Sequence, residues 1–243
     1  MKNKNSLIAP AIILGAALVV ASLIGVYAFI TVRSFDNTLV VTGSASQKVS
    51  ADNASWSFTL SRQATEGYLE GAYSGLASDL AAAKKFLSDN GIPDADITIA
   101  APMTMQQYNY KTDQSGGPRQ FEVSQRVTVQ SDDPQIIDKL SKSTEALTSK
   151  GILVMADQPQ YFSSKLAALR VSLLGAALTD ARNRAEQIAS SAGTRVGALK
   201  AASSGVVQVL APNSIDVSDY GQYDTSSIEK NVMVTVRATF FVK

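Results

Sequence analysis

The chain has 243 residues, with 22 Lys and Arg against 21 Asp and Glu, and neither His nor Cys. A formal charge of +1 offers no field for following nucleic-acid phosphates. The missing His and Cys exclude Ser-His triads, imidazole bases, thiolate nucleophiles, thiolate or imidazole zinc sites and disulfides.

At the N-terminus, Lys2 and Lys4 are followed by no charge until Arg33. The stretch from Leu7 to Ile30 is rich in Leu, Ile, Val and Ala and predicts one membrane span over 7–30. At about 1.5 Å per residue, a helix of this length crosses about 30 Å of hydrocarbon with room to tilt. Pro10 sits near the start, where a helix tolerates it. Tyr27 and Phe29 sit near the far end, as interfacial aromatics do. Two readings of the segment stand. One is an uncleaved anchor; the other is a cleaved signal peptide with Val26-Tyr27-Ala28 as its small-x-small site. The apolar run exceeds the roughly 7–15 residues of a signal core, which favours the anchor. With no Cys, a lipoprotein anchor is excluded. The two leading lysines place the N-terminus in the cytoplasm and the body outside, periplasmic or extracellular. Without Lys2, Lys4 and Arg33 that body holds 19 basic and 21 acidic residues.

The chain therefore divides into a cytoplasmic start and anchor (1–33), a linker (34–38) and an extracytoplasmic domain (39–243). A strand is expected from Leu39 through Val49, then a turn at Asp52 and Asn53. Ala54 to Leu60 alternates, which predicts a strand with Trp56, Phe58 and Leu60 inward. Glu66 to Asn90 predicts a helix, with Leu69, Tyr73, Leu76, Leu80, Ala83 and Leu87 on its apolar stripe. Gly91 caps it and Pro93 stops it. Ile97–Tyr110 and the run around Phe121, Val123, Val127 and Val129 predict a hairpin closed by Lys111–Pro118. Asp132-Asp133-Pro134 is a helix start, and that helix runs through Ile136, Ile137, Leu140, Ala146 and Leu147 to Gly151. Ile152 to Phe162 is extended. The order from Ala54 is strand, helix, strand, strand, helix, strand, as in a ferredoxin-like split βαβ unit. A long helix follows over Ser164–Ser191, with Leu166, Leu169, Leu173, Ala177, Ala181, Ala185 and Ile188 as its stripe. Val196–Leu210 and Val232–Val242 are two closing strands, and Val232, Val234, Val236, Ala238 and Phe240 share one face. Ala211–Ser227, polar and turn-rich, predicts a mobile loop.

Three stretches are similar to the SIMPL-domain family of exported bacterial proteins. The first is Val41-Thr42-Gly43-Ser44-Ala45 with Val49-Ser50-Ala51-Asp52, which has Ala45 where Gly is common and Ala51 where Pro is common. The second is Gly91-Ile92-Pro93-Asp94-Ala95-Asp96-Ile97 with Tyr108-Asn109-Tyr110. The third, and most specific, is the helix from Ala177 to Ala189 with its Asp180, Arg182, Arg184 and Glu186, followed by Gly193. The resemblance covers about Leu39 to Lys243. It implies an α+β fold, an extracytoplasmic site and a tendency to form homo-oligomers. It also implies a loose link to envelope integrity and stress tolerance, and it brings no catalytic residues. Together with the pattern above it gives an α+β class: an N-terminal transmembrane helix, then a ferredoxin-like βαββαβ core, a further long helix and two closing strands. Many family members carry cleaved signals, whereas this segment reads as retained.

The chemical candidates are few. Phosphate-loop, nucleophile-elbow and dinucleotide fingerprints are all missing from the sequence. Asp132-Asp133 suggests a metal pair, but the position before Pro134 reads as a cap. Asp94 and Asp96 would face opposite sides if extended. Asp216, Asp219 and Asp224 are the best calcium candidates, without EF-hand spacing. Asp180, Arg182, Arg184 and Glu186 read either as an oligomer contact or as a solvated helix face. Trp56 reads as core. Tyr108, Tyr110, Gly116 and Gly117 mark a hairpin tip that suits a subunit contact. No catalytic, metal or cofactor site is assigned, and no nucleic-acid partner is expected. The leading expectation is a non-enzymatic, self-assembling envelope component with an unidentified envelope partner. The alternative is a periplasmic binding module, which needs an apolar pocket with convergent polar groups. A carboxylate hydrolase ranks last; it would need clustered acids with raised pKa values.

Overall fold

The computed structural model of the protein describes residues 8–34, 37–108, 117–214, 218 and 220–243, without the side chains of 8–9 and 32–34. Helix α1 (Ile8–Ser34) comes first. Strands β1 (Thr38–Ser50) and β2 (Asn53–Thr65) follow, then helix α2 (Leu69–Asp89). A short 3-10 turn (Asp94–Asp96) leads to β3 (Ile97–Ile99), β4 (Met103–Gln107) and β5 (Gln120–Ser131). Helices α3 (Pro134–Lys142) and α4 (Glu145–Thr148) precede β6 (Leu153–Ala156) and β7 (Gln160–Phe162). Helix α5 (Leu166–Ser191) and strands β8 (Val196–Leu210) and β9 (Glu229–Val242) complete the chain. The class is α+β, with an apolar N-terminal helix and a sheet-rich body.

The chain forms two compact units. One comprises Met1–Ala45, Ser172–Val206 and Val234–Lys243; the other comprises Ser46–Val171 and Val207–Met233. Strands β1, β9 and β8 pair in that order.

The second unit is built on a sheet of order β3-β5-β2-β6, with β4 also on β5 and β7 also on β2. Antiparallel register sets Trp56 opposite Val129 and Phe58 opposite Val127. The period of two then sends Trp56, Phe58 and Leu60 to one face, and all three are buried as the alternation predicts. Leu76, Ala83 and Leu87 of α2 and Ile137 and Leu140 of α3 join the same core. The indole N–H of Trp56 donates to Asp157 O at 3.0 Å, so the large ring leaves no buried donor unpaired.

Several predicted elements break where the backbone demands it. Ile97–Tyr110 becomes two strands separated at Ala100–Pro102, because Pro102 has no N–H for the ladder. Tyr110 and the predicted loop residues 111–116 lie outside the described residues. Ile152–Phe162 is likewise two strands, with Pro159 between them. The helix from Pro134 divides at Ser143 and Thr144. Its start follows the expectation: Asp133 Oδ1 accepts the Gln135 N–H at 2.9 Å, with Pro134 in the first turn. Asp94 and Asp96 lie in the exposed 3-10 turn rather than on a strand. Gly91, Gly151 and Gly193 all take positive φ after helices, as C-terminal caps do.

The two long helices bury slightly different faces from those predicted. In α2 the buried set is Ala72, Leu76, Asp79, Ala83, Phe86 and Leu87, while Tyr73 is exposed. The face turns towards Asp79 because Arg62 on β2 meets it there with two hydrogen bonds, 2.6 and 2.8 Å. In α5 the buried residues of the first unit are Leu173, Ala177, Ala181, Ala185 and Ala189, a strict four-residue repeat. Ile188 is exposed, since Ala189 holds the inward place. The small side chains let β1 come very close. A Cβ on Gly43 would stand 2.2 Å from Ala177 O and 2.3 Å from Ala181 N. The Ser44 N–H, next along the strand, donates to Asp180 Oδ2 at 2.8 Å. Val232, Val234, Val236, Ala238 and Phe240 are all buried, as one face of β9.

Candidate functional site

The connection from β8 to β9, in the second unit, carries the most developed polar structure. Its composition predicts a mobile loop, but the described residues from Gln222 onward are tied down. The Val209 N–H donates to Gln222 O at 2.7 Å, and the Asp224 N–H returns to Val209 O at 2.8 Å. The Tyr161 N–H of β7 donates to Thr225 O, and the Ala51 N–H donates to Ile228 O, both at 2.8 Å. These bonds make residues 222–228 a strap fixed to three parts of the unit.

Lys230 anchors the strap from inside. Its side chain is fully buried, and Nζ donates to Asp224 O and Ser227 O at 2.6 Å each. The Asp224 carboxylate lies 3.8 Å from the same nitrogen. A buried ammonium is tolerable only when paired and hydrogen-bonded in this way. Burial lowers the Lys230 amine from its ordinary 10.5, while the Asp224 charge and hydrogen bond pull upward. Burial pushes the Asp224 carboxyl up. Bonds from the Ser226 and Ser227 side chains, the Ser226 N–H and the Lys230 charge outweigh it, so Asp224 sits below 3.8. Two of the three Lys230 donors are thus committed to the strap, and the ammonium also faces the Asp224 carboxylate. The cluster ties the strap to β9.

A cavity of about 370 Å³ opens over this tether. It is lined by Lys48 of β1, by Pro212, Asn213 and Ser214 of the connection, and by Glu229, Lys230 and Asn231 of β9. Asn213 holds φ at +62°, a left-handed conformation that Asn tolerates better than most residues. The turn is closed by the Ser214 N–H on Ala211 O at 3.1 Å.

A larger cleft of about 640 Å³ lies beside Arg62, Thr65, Tyr68, Glu70, Gly71 and Ser74. Its guanidinium is already held by the buried Asp79 carboxylate. Gly75 makes room for that pair, since a Cβ there would meet the guanidinium at 2.8 Å.

The candidate residues from the sequence are dispersed. Asp224 serves the strap; Asp216 and Asp219 lie outside the described residues. Among the described residues, no three acidic side chains gather to hold a metal. Asp133 is a cap. Asp180 pairs with Arg184 at 2.8 Å and Arg182 with Glu186 at 2.9 Å, all four partly exposed. Trp56 is core, 1% exposed. Tyr108 is 76% exposed, whereas Gly116 lies outside the described residues. Sequence reasoning missed Lys230, because a lone lysine reads as surface. The available signal was Asp224-Thr225-Ser226-Ser227, a carboxylate followed by hydroxyls in turn spacing, three residues before it.

The two ends of the β3-β5-β2-β6 sheet are also conspicuous. Met103 and Met105 on β4 are each 60% exposed, and Leu153 and Met155 on β6 are 55% and 66% exposed. Among the described pairings, β4 meets only β5 and β6 meets only β2.

No curated protein matches the chain. The profile of the SIMPL family, described as proteins of unknown function (DUF541), matches residues 39–240, and the chain belongs to that family.

Proposed function

We propose that this SIMPL protein is a single-pass, membrane-anchored component of the cell envelope that acts by self-assembly and not by catalysis. The N-terminus lies in the cytoplasm and residues 39–243 outside it. Anchoring confines copies to a surface and raises their effective concentration, so modest interfaces suffice. The observation that carries the reading is the pair of outer strands β4 and β6, which among the described residues each pair on one side only and carry exposed apolar side chains. Unpaired strand edges are templates for pairing with another chain. The strand order and the helix placement also support a ferredoxin-like core, in which such edges recur on both sides. A link to envelope integrity or stress tolerance follows from the family resemblance.

The test is the absolute mass of the intact chain in detergent, by light scattering after size exclusion. A discrete oligomer is expected, with Met105→Lys and Met155→Lys each shifting it to smaller species. A monomer for the unsubstituted chain overturns the assembly reading.

A second reading, a binding module, is favoured by the cavity over Lys230. Its size falls at the low end of ligand sites, roughly 300–1,000 Å³.

A further inference from the structure

We infer that the cavity between β1, the Ala211–Ser214 turn and β9 binds a small zwitterion: an amino acid or short peptide with a free ammonium and a free carboxylate. The inference rests on the binding-module reading and names the ligand class for it. The lining carries opposite charges on neighbouring strands, Lys48 on β1 and Glu229 on β9. Neither forms an ion pair among the described residues, although both line the same cavity. Lys230 does not compete for the ligand, since Asp224 and two carbonyls already hold its ammonium. Among the described residues of the wall, the charges outside an ion pair are therefore one cation and one anion.

That arrangement discriminates. A simple anion gains Lys48 but meets the repulsion of Glu229, and a simple cation meets the reverse. A zwitterion satisfies both, so its two charges are matched rather than left facing like charge. Asn213 and Asn231 add amide donors and acceptors, which suit the peptide group between the two termini. The volume is large enough for a dipeptide. The tether below supplies rigidity, because Lys230 and the strap hold this part of the wall without calling on the ligand.

The experiment is a titration of the intact chain in detergent with L-alanyl-L-alanine, followed by calorimetry and by amide NMR shifts. The same titration is run with the N-acetylated and the C-amidated dipeptide, and with a panel of uncharged small solutes. Lys48→Met and Glu229→Gln are the variants; both residues are exposed, so neither substitution threatens the fold. Saturable binding of the free dipeptide is expected, with shifts at Lys48, Asn213 and Asn231. Each variant and each blocked dipeptide should weaken it by about tenfold or more. No saturable binding, equal binding of blocked dipeptides, or unchanged affinity in both variants overturns the zwitterion assignment. If an uncharged solute perturbs the same cavity while the dipeptide does not, the zwitterion assignment fails and the binding-module reading survives. If no solute perturbs it, both fail.

Discussion

Gly43 shows how much one missing methyl group decides. Its backbone approaches α5 so closely that a Cβ would stand within 2.2–2.7 Å of backbone atoms of Ala177 and Ala181. A helix backbone cannot swing aside as a long side chain can. Gly43→Ala must push β1 away from α5 and stretch the bond from Ser44 to Asp180. Overpacking of this kind costs about 1–3 kcal/mol. Urea unfolding should show that loss, and Thr42→Ala at the exposed neighbouring position should show little. An unchanged midpoint for Gly43→Ala would mean the strand and helix are not in this contact. Residues of this sort are partly legible from sequence. Trp56, Phe58 and Leu60 could be read because their burial follows from a local alternation. Gly43 could be read only as part of a motif. The bond between Ser44 and Asp180 joins residues 136 positions apart, and no local pattern announces it. Lys230 is different: its partners Asp224 and Ser227 are local, but they accept through carbonyl oxygens that every residue carries, so only the acid-and-hydroxyl run before it gives a signal.

At the scale of elements, three carboxylates fasten segments of the second unit. Asp52 accepts the Ser164 hydroxyl and N–H at the approach to α5, at 2.6 and 2.8 Å. Asp138 on α3 holds Lys142 and the Tyr161 hydroxyl, at 2.7 and 3.2 Å. Asp224 holds the strap. The Ser164 bonds lower Asp52, and the Lys142 bond and then the Tyr161 bond lower Asp138. For Asp224, burial opposes the shift but the serine bonds prevail. Burial and the neighbouring Asp138 charge push the Tyr161 phenol up to about 12, so it stays a donor throughout the usual pH range. A carboxylate with a depressed folded pKa stabilises fully above its unfolded value and is lost as pH falls through the folded one. Stability should therefore hold from neutrality down towards pH 5 and decline below about 3.8. Asp52→Asn should flatten that acid decline, measured as denaturant midpoint against pH. A profile with the same slope in variant and parent would show that Asp52 does not titrate in this role. The caps, hairpin strands and helix ends of these elements were legible, because Pro134, Gly91, Gly151 and Gly193 act locally. The interruptions after Ile99 and Ala156 were less so, because Pro102 and Pro159 break a ladder only where a neighbouring strand demands their N–H.

For the whole molecule the deciding element is α1. Its apolar segment Pro10–Thr31 has 22 residues, about 33 Å as a helix, against a hydrocarbon core of about 30 Å. Every described side chain from Pro10 to Ile30 is exposed, so the described part of the chain covers none of this surface. Apolar area of that extent is stabilised by about 25 cal/mol for each Å² taken out of water, which a bilayer would do for a retained anchor. The helix and its apolar length were legible, because composition alone shows a stretch long enough to cross a membrane. Its fate is not set by that pattern, since a signal sequence near the N-terminus shares it. The two fates differ in mass. A retained anchor leaves the intact 25.7 kDa chain in the membrane pellet after an alkaline carbonate wash. Cleavage after Ala28 would leave a shorter chain in the soluble fraction. We expect the intact mass in the pellet. Leu18→Arg with Leu23→Arg should move the chain out of it, as each arginine near the span's centre costs about 2.5–3.5 kcal/mol of insertion. A soluble, shortened chain from the unsubstituted gene would remove the anchor, and with it the surface confinement on which weak edge contacts depend.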